Sequence, residues 1–588
     1  MTELIIHFWQ KLSRLVRELA IWPASLMALW HRLSGRQQTS LSLLLLILGS
    51  SAYYLSYYRF APIFSDEGWT METVQRVMDG QIIHRDFSCI YPFGRFYLFA
   101  RLFETFGTSL LVLRLFFLII RVVIVGLTFT IAGRFMPLPH SLMPSFIILL
   151  VPGPWYASFN QLIILVGIGI NLAVIIPDDR PKSLIIAGIA CGLSAMLRQD
   201  LGIFFFIATV LTLIGKYLGR YRHLRRVDQI RQISRAILIL SATVILVWLP
   251  ALIYFGYHGA LANMFADLFQ LPQRHHSPAW QVIINICHLK TRGWNVPGES
   301  GTALVVLFIS AIYLFFSART GWRFLRQRAK TSDLELASLL CFAWLSFNQC
   351  FRYETLYYLL QYGLPAYILV YHLLFSIGQR LGERQRSGSA LLLGVLLGLN
   401  LIPAFEWFRH IATSHEIGEN WADAYYGTIL ARFGPQYPLQ IRGDHFFVDA
   451  STWTRIQKIE RFKRREKDFH DLPVLLDAEF SLLYFIWDIK NPCHIIQFER
   501  NNWSLQTAPR REECLQRLDS GGYLILSQWW LAKDKKGLHR DLLRHRPARW
   551  AKFIRRIYPF HIFYHAPAGQ RGRAAGRPIK ILATESGL

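Results

Sequence analysis

Two adjacent carboxylates, Asp66 and Glu67, follow closely on the first long apolar run of the chain. A carboxylate drawn toward hydrocarbon gives up hydration, so paired acids at a membrane edge are costly unless they are used. The chemistry open to them is general-base work, taking the proton from an attacking hydroxyl. The competing assignment is structural: Ser65-Asp66-Glu67-Gly68 precedes a helical stretch, and Ser and Asp cap helices routinely. Two further mixed-charge clusters follow later apolar runs, Arg198-Gln199-Asp200 and Arg352-Tyr353-Glu354. A guanidinium so placed either pairs with the neighbouring acid or grips a phosphate through two parallel hydrogen bonds. Arg114 lies about one turn inside the second apolar run and Arg121 one heptad deeper. An ionisable residue at that depth is a functional suspect, with a bundle-internal structural pair as the alternative.

These clusters share one kind of boundary. Long apolar segments recur from about residue 41 to 405, and the gaps between them alternate in character. One set is Arg-rich: 216–235, 319–330 and 380–386. The other set holds the acidic and mixed-charge clusters. Positive loops stay in the cytoplasm, which places the acidic clusters together on the exoplasmic side. The spans read at 41–59, 110–132, 141–154, 158–177, 183–197, 201–217, 236–256, 302–318, 335–351, 355–377 and 389–405. Most approach the ~20 residues that cross a bilayer. Tyr91 to Phe106 is aromatic but carries Arg95, Arg101 and Glu104, so it reads as an interfacial helix rather than a span. The fold class is therefore a polytopic α-helical membrane protein of about eleven transmembrane helices, in three parts: a cytoplasmic segment 1–40, a membrane module 41–405 with exoplasmic loops 60–109 and 257–301, and a soluble exoplasmic domain 406–588.

Composition agrees. Only 17% of the 588 residues are charged, against about 25% in soluble domains. The net charge of +26 would suggest nucleic acid in a soluble protein. Here much of it lies in cytoplasmic loops, where it sets topology and meets anionic membrane lipids. No cleavable signal is evident, and Ile5 to Leu19 reads as a basic amphipathic helix on the cytoplasmic surface. After residue 405, 474–477, 494–498 and 523–526 read as strands, with helices at 482–487 and 512–518. That alternation predicts an α/β domain with a mainly parallel sheet. Cys493 and Cys514 share this domain; a bridge and two free thiols are both open. No Cys or His spacing suits a metal. His275 and His276 read as loop residues beside substrate or solvent, and Asp178-Asp179-Arg180 as a solvated cytoplasmic turn.

The stretch SDEGWTMETVQRVMDGQIIHRDFSCIYPFGRFYLFARLFETFGTSLLVLRL resembles the first exoplasmic loop of GT-C-type membrane glycosyltransferases. More narrowly it resembles their protein-mannosyltransferase-like and aminoarabinose-transferase-like branch. That branch carries an Asp-Glu pair, G-x-x-x-Y-x-D-F, a Pro-containing aromatic helix, and F-G-x-S with a following Arg. The chain supplies Asp66-Glu67, Gly80, Asp86-Phe87, Pro92, Phe106-Gly107 and Arg114, with His84 in place of Tyr. AGIACGLSAMLRQDLGIFF resembles a family helix ending in a basic residue. FRYETLYYLLQYGLPAYIL resembles a family helix start, with Glu354 where Asp is usual and Tyr357 where His is usual. SLLYFIWDIKNP resembles the family's exoplasmic tail.

The resemblance implies a GT-C-like fold in the plasma (inner) membrane, with the amino terminus cytoplasmic and the carboxy-terminal domain exoplasmic or periplasmic. It implies a donor sugar linked through phosphate to a polyprenol, and a hydroxyl acceptor that is a lipid, a glycan or a protein. Under it, Asp66 takes the acceptor proton in a single inverting displacement. Glu67 and Asp86 orient the sugar or hold Asp66. Arg114, Arg198 and Arg352 face the phosphate, with Asp200, Glu354 and Tyr357 beside them. No cofactor is implied; a divalent ion at Asp66, Glu67 and Asp86 stays open, though the ligands are few. Two other functions compete. A flippase of a lipid-linked glycan would place charges near the midplane, as only Arg121 does. A non-catalytic scaffold would leave the acidic pair without a purpose beyond capping. The eleven-span topology predicts that cysteines introduced at Gly298 and Gly388 react with a membrane-impermeant thiol reagent from opposite sides; labelling from one side contradicts it.

Overall fold

The computed structural model describes residues 32–150, 155–178, 180–220, 225–270, 297–326, 328, 330–351, 362–381, 436–465, 469, 471–476, 481–493, 514, 516–517, 522–527, 553–557 and 560–565. The first apolar run folds as α1, Gly35–Leu55, begun by a capping box in which Ser34 and Gln37 satisfy each other's backbone. Two shorter helices, α2 (Asp66–Met78) and α3 (Gly94–Phe106), occupy the first loop. At 13 residues α3 is only about 20 Å long, too short to span, as its charges predict. Next is α4, Leu110–Ala132, with the predicted bounds and a Ser109 cap whose Oγ accepts from Leu111 N at 2.9 Å.

The chain continues through α5 (Leu138–Leu150), α6 (Ser158–Ile170) with a π turn at Asn171–Ile175, α7 (Pro181–Leu197) and α8 (Gln199–Arg220). Then come α9 (Arg226–Tyr257), α10 (Leu261–Phe265), α11 (Pro297–Leu325), α12 (Thr331–Phe347) and α13 (Leu364–Leu381). Helix α9 starts ten residues before the predicted span, because Arg and Gln are good helix formers and the Arg-rich stretch continues the helix. The span predicted at 389–405 lies outside the described residues. Among those described, five stretches are long and apolar enough to cross a membrane: Gly35–Leu55, Leu110–Ala132, Trp155–Ile175, Gln199–Gly219 and Arg226–Tyr257. Their outward faces are apolar, with Leu48, Ile119, Leu238, Ile245 and Leu246 exposed. Apolar surface on this scale marks a lipid or partner contact rather than a watery one.

Side-chain contacts sort the helix ends into two groups. Arg114, near the start of α4, reaches Tyr58 O just beyond α1. Arg95 reaches Leu197 O at the end of α7, and Gln349, just past α12, reaches Asp200 at the start of α8. These ends therefore lie together. The opposite ends meet elsewhere: His372 on Phe135 O, Lys216 on Asp178 O, and Arg323 on Asp333. The Arg-rich stretches that begin at Lys216 and Arg319 depart from this second end. Asp178 accepts from Arg180 N and Ser183 Oγ, a turn that starts α7.

In the carboxy-terminal part, β1 (Gln436–Ile441) and β2 (Asp444–Asp449) form an antiparallel hairpin. Its turn residues Arg442 and Gly443 both have positive φ. After α14 (Ala450–Arg465) come β3 (Val474–Leu476), α15 (Leu482–Trp487), β4 (Gly522–Ser527), β5 (Phe553–Ile557) and β6 (Phe560–His565). The sheet order is β3-β4-β6-β5, with β3 and β4 parallel and the other two pairings antiparallel. The expected mainly parallel sheet is thus corrected to a mixed one. Only two residues separate β5 from β6, too few for a crossover. The strand expected at 494–498 lies outside the described residues. Leu439, Ile441, Phe446, Val448, Leu482 and Phe485 belong to the same buried cluster as Phe96, Phe117 and Trp155, so this part shares a core with the first loop.

Where α7 crosses α9, Gly188 and Gly192 let the backbones approach, and Trp248 Nε1 donates to Gly192 O at 3.1 Å. A Cβ at Gly192 would lie 2.8 Å from Val247, whereas one at Gly169 meets nothing within 4 Å. Gly192→Leu is therefore expected to cost roughly 1–3 kcal/mol by overpacking, read as a lower unfolding temperature in detergent. Gly169→Ala should not lower it.

Candidate active site

Helix α2 starts at Asp66, and Ser65 makes no side-chain cap, so the acidic pair is not the capping device its sequence permits. Both acids lie in the first turn, where the helix dipole favours negative charge. Asp66 is half-buried and its Oδ1 accepts from Trp69 Nε1 at 3.1 Å. The Trp69 ring lies flat on Tyr91, centroids 5.1 Å apart and planes 6° off parallel. Two guanidiniums also converge on Tyr91, Arg95 at 4.6 Å and Arg198 at 5.2 Å from the ring centre. Burial raises the Tyr91 phenol pKa; Arg198 and Arg95 pull it back, and Asp66 and Asp200 push it up again. The Trp69–Tyr91 stack therefore joins the carboxylate of the first loop to the charged junction between α7 and α8.

That junction is built tightly. Arg198 ends α7 in extended conformation, and Asp200 opens α8. Arg198 Nε donates to Asp200 Oδ1 at 2.9 Å and Nη2 to Oδ2 at 3.4 Å. Asp200 also accepts from Leu201 N and from Gln349 Nε2, each at 2.9 Å. Arg198 makes no hydrogen bond through Nη1 among the described residues, and its side chain keeps 17% of its exposure. Arg95 is buried and donates twice to Leu197 O, the negative end of α7. Burial, with the nearby Arg198 charge, lowers its pKa to about 10, so it stays cationic at neutral pH. Gln199 ties the junction to both loops through Ile90 O and Leu268 O.

Glu67 and Arg114, expected to act on substrate, face each other instead. Both are fully buried. Arg114 Nε and Nη2 donate to the two Glu67 oxygens at 2.8 and 2.7 Å. Nη1 donates to Tyr58 O and Phe60 O, and Nη2 to Ala61 O. All five N–H donors of the guanidinium are thereby used, and Glu67 accepts once more from Ile63 N. Arg114, expected at the phosphate, is here committed to Glu67 and three backbone carbonyls. Breaking such a buried pair by removing one partner typically costs about 3–5 kcal/mol.

The other expected residues divide. Asp86 lies in a local turn, accepting from Ile82 N and pairing with Arg85. His84, at positive φ, is buried against Asp267 with Nδ1 at 3.0 Å from Oδ2. Asp267 also accepts from Cys89 N, linking the two loops. Burial pushes the Cys89 thiol up to about 12, so it is neutral. Arg121 stacks on Trp155 at 3.6 Å and reaches Tyr57 Oη and Ser158 Oγ, a bundle-internal role. Arg352, Glu354, Tyr357, His275 and His276 lie outside the described residues. Among the described residues no three His, Cys, Asp or Glu side chains are grouped to hold a metal. Trp69, Tyr91, Arg95 and Gln349 belong to this arrangement although the sequence alone assigns none of them to it. A signal existed for two of them: Trp69 stands one helical turn after Asp66, and Arg95 is a cation set in an aromatic run.

No family model and no curated protein matches the chain. Among solved structures, it is similar to ArnT from Cupriavidus metallidurans bound to undecaprenyl phosphate. The identity is 11%, over 90% of this chain and 98% of that one, with a TM-score of 0.47. It is also similar to the archaeal oligosaccharyltransferase AglB from Archaeoglobus fulgidus in complex with an inhibitory peptide and a dolichol-phosphate. There the identity is 12%, over 82% of this chain and 69% of that one, with a TM-score of 0.44.

On α2, two turns after Asp66, Glu72 is buried beside Arg76 at 3.1 Å and accepts from Asn491 Nδ2 at 2.9 Å. Burial outweighs these partners and raises its pKa from 4.5 to about 7. A carboxyl raised in the folded state binds its proton more tightly there than in the unfolded chain. Native stability should then fall as pH rises from about 4.5 through 7, by up to roughly 3 kcal/mol. Glu72→Gln removes this component. The unfolding temperature of wild type should drop more than that of the variant between pH 4.5 and 7.5; parallel curves would show that Glu72 ionises as freely folded as unfolded.

Proposed function

We propose that the protein is an integral membrane glycosyltransferase that moves a sugar from a polyprenyl-phosphate donor to a hydroxyl acceptor on the exoplasmic face. The observation that carries this reading is the convergence of Asp66 with Arg198 and Arg95 around Tyr91. A half-buried carboxylate suits a base, and a guanidinium with an unused donor suits a phosphate. A donor of this class keeps its chain in the bilayer and its phosphate at headgroup level, the depth at which a spanning helix such as α8 would begin.

In the proposed step the acceptor oxygen attacks the anomeric carbon while Asp66 takes its proton. The bond from that carbon to the phosphate oxygen breaks, and the polyprenyl phosphate leaves with the electron pair. Attack opposite the leaving group inverts configuration. Arg198 would hold the departing phosphate through Nη1, with Asp200 and Gln349 fixing its orientation. Arg95 adds positive potential without direct contact, since it is committed to Leu197 O. Glu67 supports the site by holding the start of α2. Arg121, the one feature that would favour a flippase, packs against Trp155 inside the bundle.

Purified Asp66→Asn protein should bind undecaprenyl phosphate like wild type. With lipid-linked sugars extracted from cell membranes as donors, it should transfer sugar to acceptor, and release polyprenyl phosphate, roughly 10²–10⁴-fold more slowly. Arg198→Met should weaken undecaprenyl phosphate binding. Glu67→Gln should appear as a loss of folded protein. Transfer at the wild-type rate by Asp66→Asn removes the base assignment.

A further inference from the structure

Helix α2 presents a third face, used neither by Asp66 nor by the Glu67 pair. Phe64, Gly68, Glu72 and Arg76 recur every four residues, which aligns them along one side of a helix and its entry. Each meets the carboxy-terminal part of the chain. Phe64 O accepts from Leu482 N at 2.9 Å. A Cβ at Gly68 would collide with the Leu482 backbone, so that contact demands glycine. Glu72 accepts from Asn491 Nδ2, and Arg76 Nη2 donates to Asn491 O and Cys493 O at 3.1 and 2.9 Å. Asn491 Oδ1 accepts from Cys493 N at 2.9 Å, closing a small turn, and Cys493 is disulfide-bonded to Cys514. Asp66 lies between the first two of these contacts, two residues after Phe64 and two before Gly68.

We propose that the Asn491–Cys493 turn, locked by its disulfide, and the Ser481–Leu482 backbone together clamp α2 at both ends, making Asn491 and Arg76 positioning residues for Asp66. A catalytic base misplaced by about 1 Å can cost about 10²-fold in rate. Side chains that fix the axial position of α2 therefore act on the chemical step and leave phosphate binding, which belongs to the α7–α8 junction, untouched. The disulfide restrains a turn whose carbonyls must point at Arg76, which gives the bond a task beyond holding the domain closed. The proposal rests on Asp66 being the base of the transfer.

Two measurements on full-length protein in lipid vesicles separate the clamp from that premise. Amide hydrogen exchange over 63–78 should quicken about tenfold in Asn491→Ala, in Arg76→Met and in Cys493→Ser/Cys514→Ser, as expected for a lost buried hydrogen bond. Exchange over 110–132 should stay unchanged, showing that the bundle is intact. With lipid-linked sugars extracted from cell membranes as donors, kcat should fall about 10–100-fold at unchanged KM and unchanged affinity for undecaprenyl phosphate. Arg76→Lys, which can still donate to the two carbonyls, should recover most of the rate. Unaltered exchange over 63–78 overturns the clamp whatever the protein transfers. Quickened exchange with unaltered kcat overturns the positioning role, as does a variant set in which KM rises and kcat holds. If wild type transfers nothing, quickened exchange upholds the clamp and the premise alone fails.

Discussion

The five-donor closure of Arg114 is the constraint from which the site follows. Its guanidinium binds the Glu67 carboxylate and three consecutive-turn carbonyls, at Tyr58, Phe60 and Ala61. The chain leaving α1 has no regular structure there, and its carbonyls would otherwise be unsatisfied in an apolar setting. A buried ion pair of this kind adds little net stability, because desolvation consumes much of the attraction. Its contribution is geometric: it fixes the path of residues 58–67 and the start of α2 on α4. Phe446 and Trp155 flank the guanidinium at 5.6 and 5.8 Å, so the same cation also fastens the β1–β2 hairpin to the bundle.

Against that frame, three arginines of the same chemical type take three different parts according to how many acceptors surround them. Arg114 is saturated by protein oxygens. Arg95 has two donors on one carbonyl and its plane against aromatic rings. Arg198 shares two donors with Asp200 and retains a third nitrogen and some exposure. The capacity to bind an external anion follows this order of saturation and not the depth of the residue in the sequence pattern. Cation density around Tyr91 is kept tolerable by Asp200 and Asp66, which place two negative groups close to two positive ones.

Much of the helical frame was legible because it depends on local properties. Span 110–132 and helix 482–487 were readable from hydropathy and flanking polar residues, and α3 is, at 13 residues, as short as its charges led one to expect. The charged clusters at the ends of apolar runs were legible too, since charge is costly inside hydrocarbon. What sequence could not show was the partner of each charge. Arg114 lies one turn inside an apolar run and Arg198 just after another, and both invite a phosphate; only tertiary packing decides that Arg114 meets Glu67 and three carbonyls. The β1–β2 hairpin was invisible for a related reason: its pairing with Arg59 and Ala61 is a contact across nearly 390 residues of sequence, with Phe447 N and O bonding the first loop. The mixed order of the sheet likewise depends on a two-residue connection between β5 and β6 rather than on strand composition.

The separation of Asp66 from Glu67 follows from helix geometry. Neighbouring residues on an α-helix point about 100° apart and do not face a common partner. Once Asp66 and Glu67 both fall in the first turn of α2, they cannot both line one site. One must turn toward Trp69 and Tyr91, and the other toward α4. The same rotation brings Gly68 onto Leu482, so three successive residues serve the site, the bundle and the carboxy-terminal part in turn. An Asp-Glu-Gly run at the start of a helix is thus a three-way joint. Its two carboxylates have separate surroundings: one is half-buried beside Trp69, and the other is buried where a guanidinium needs it for neutrality.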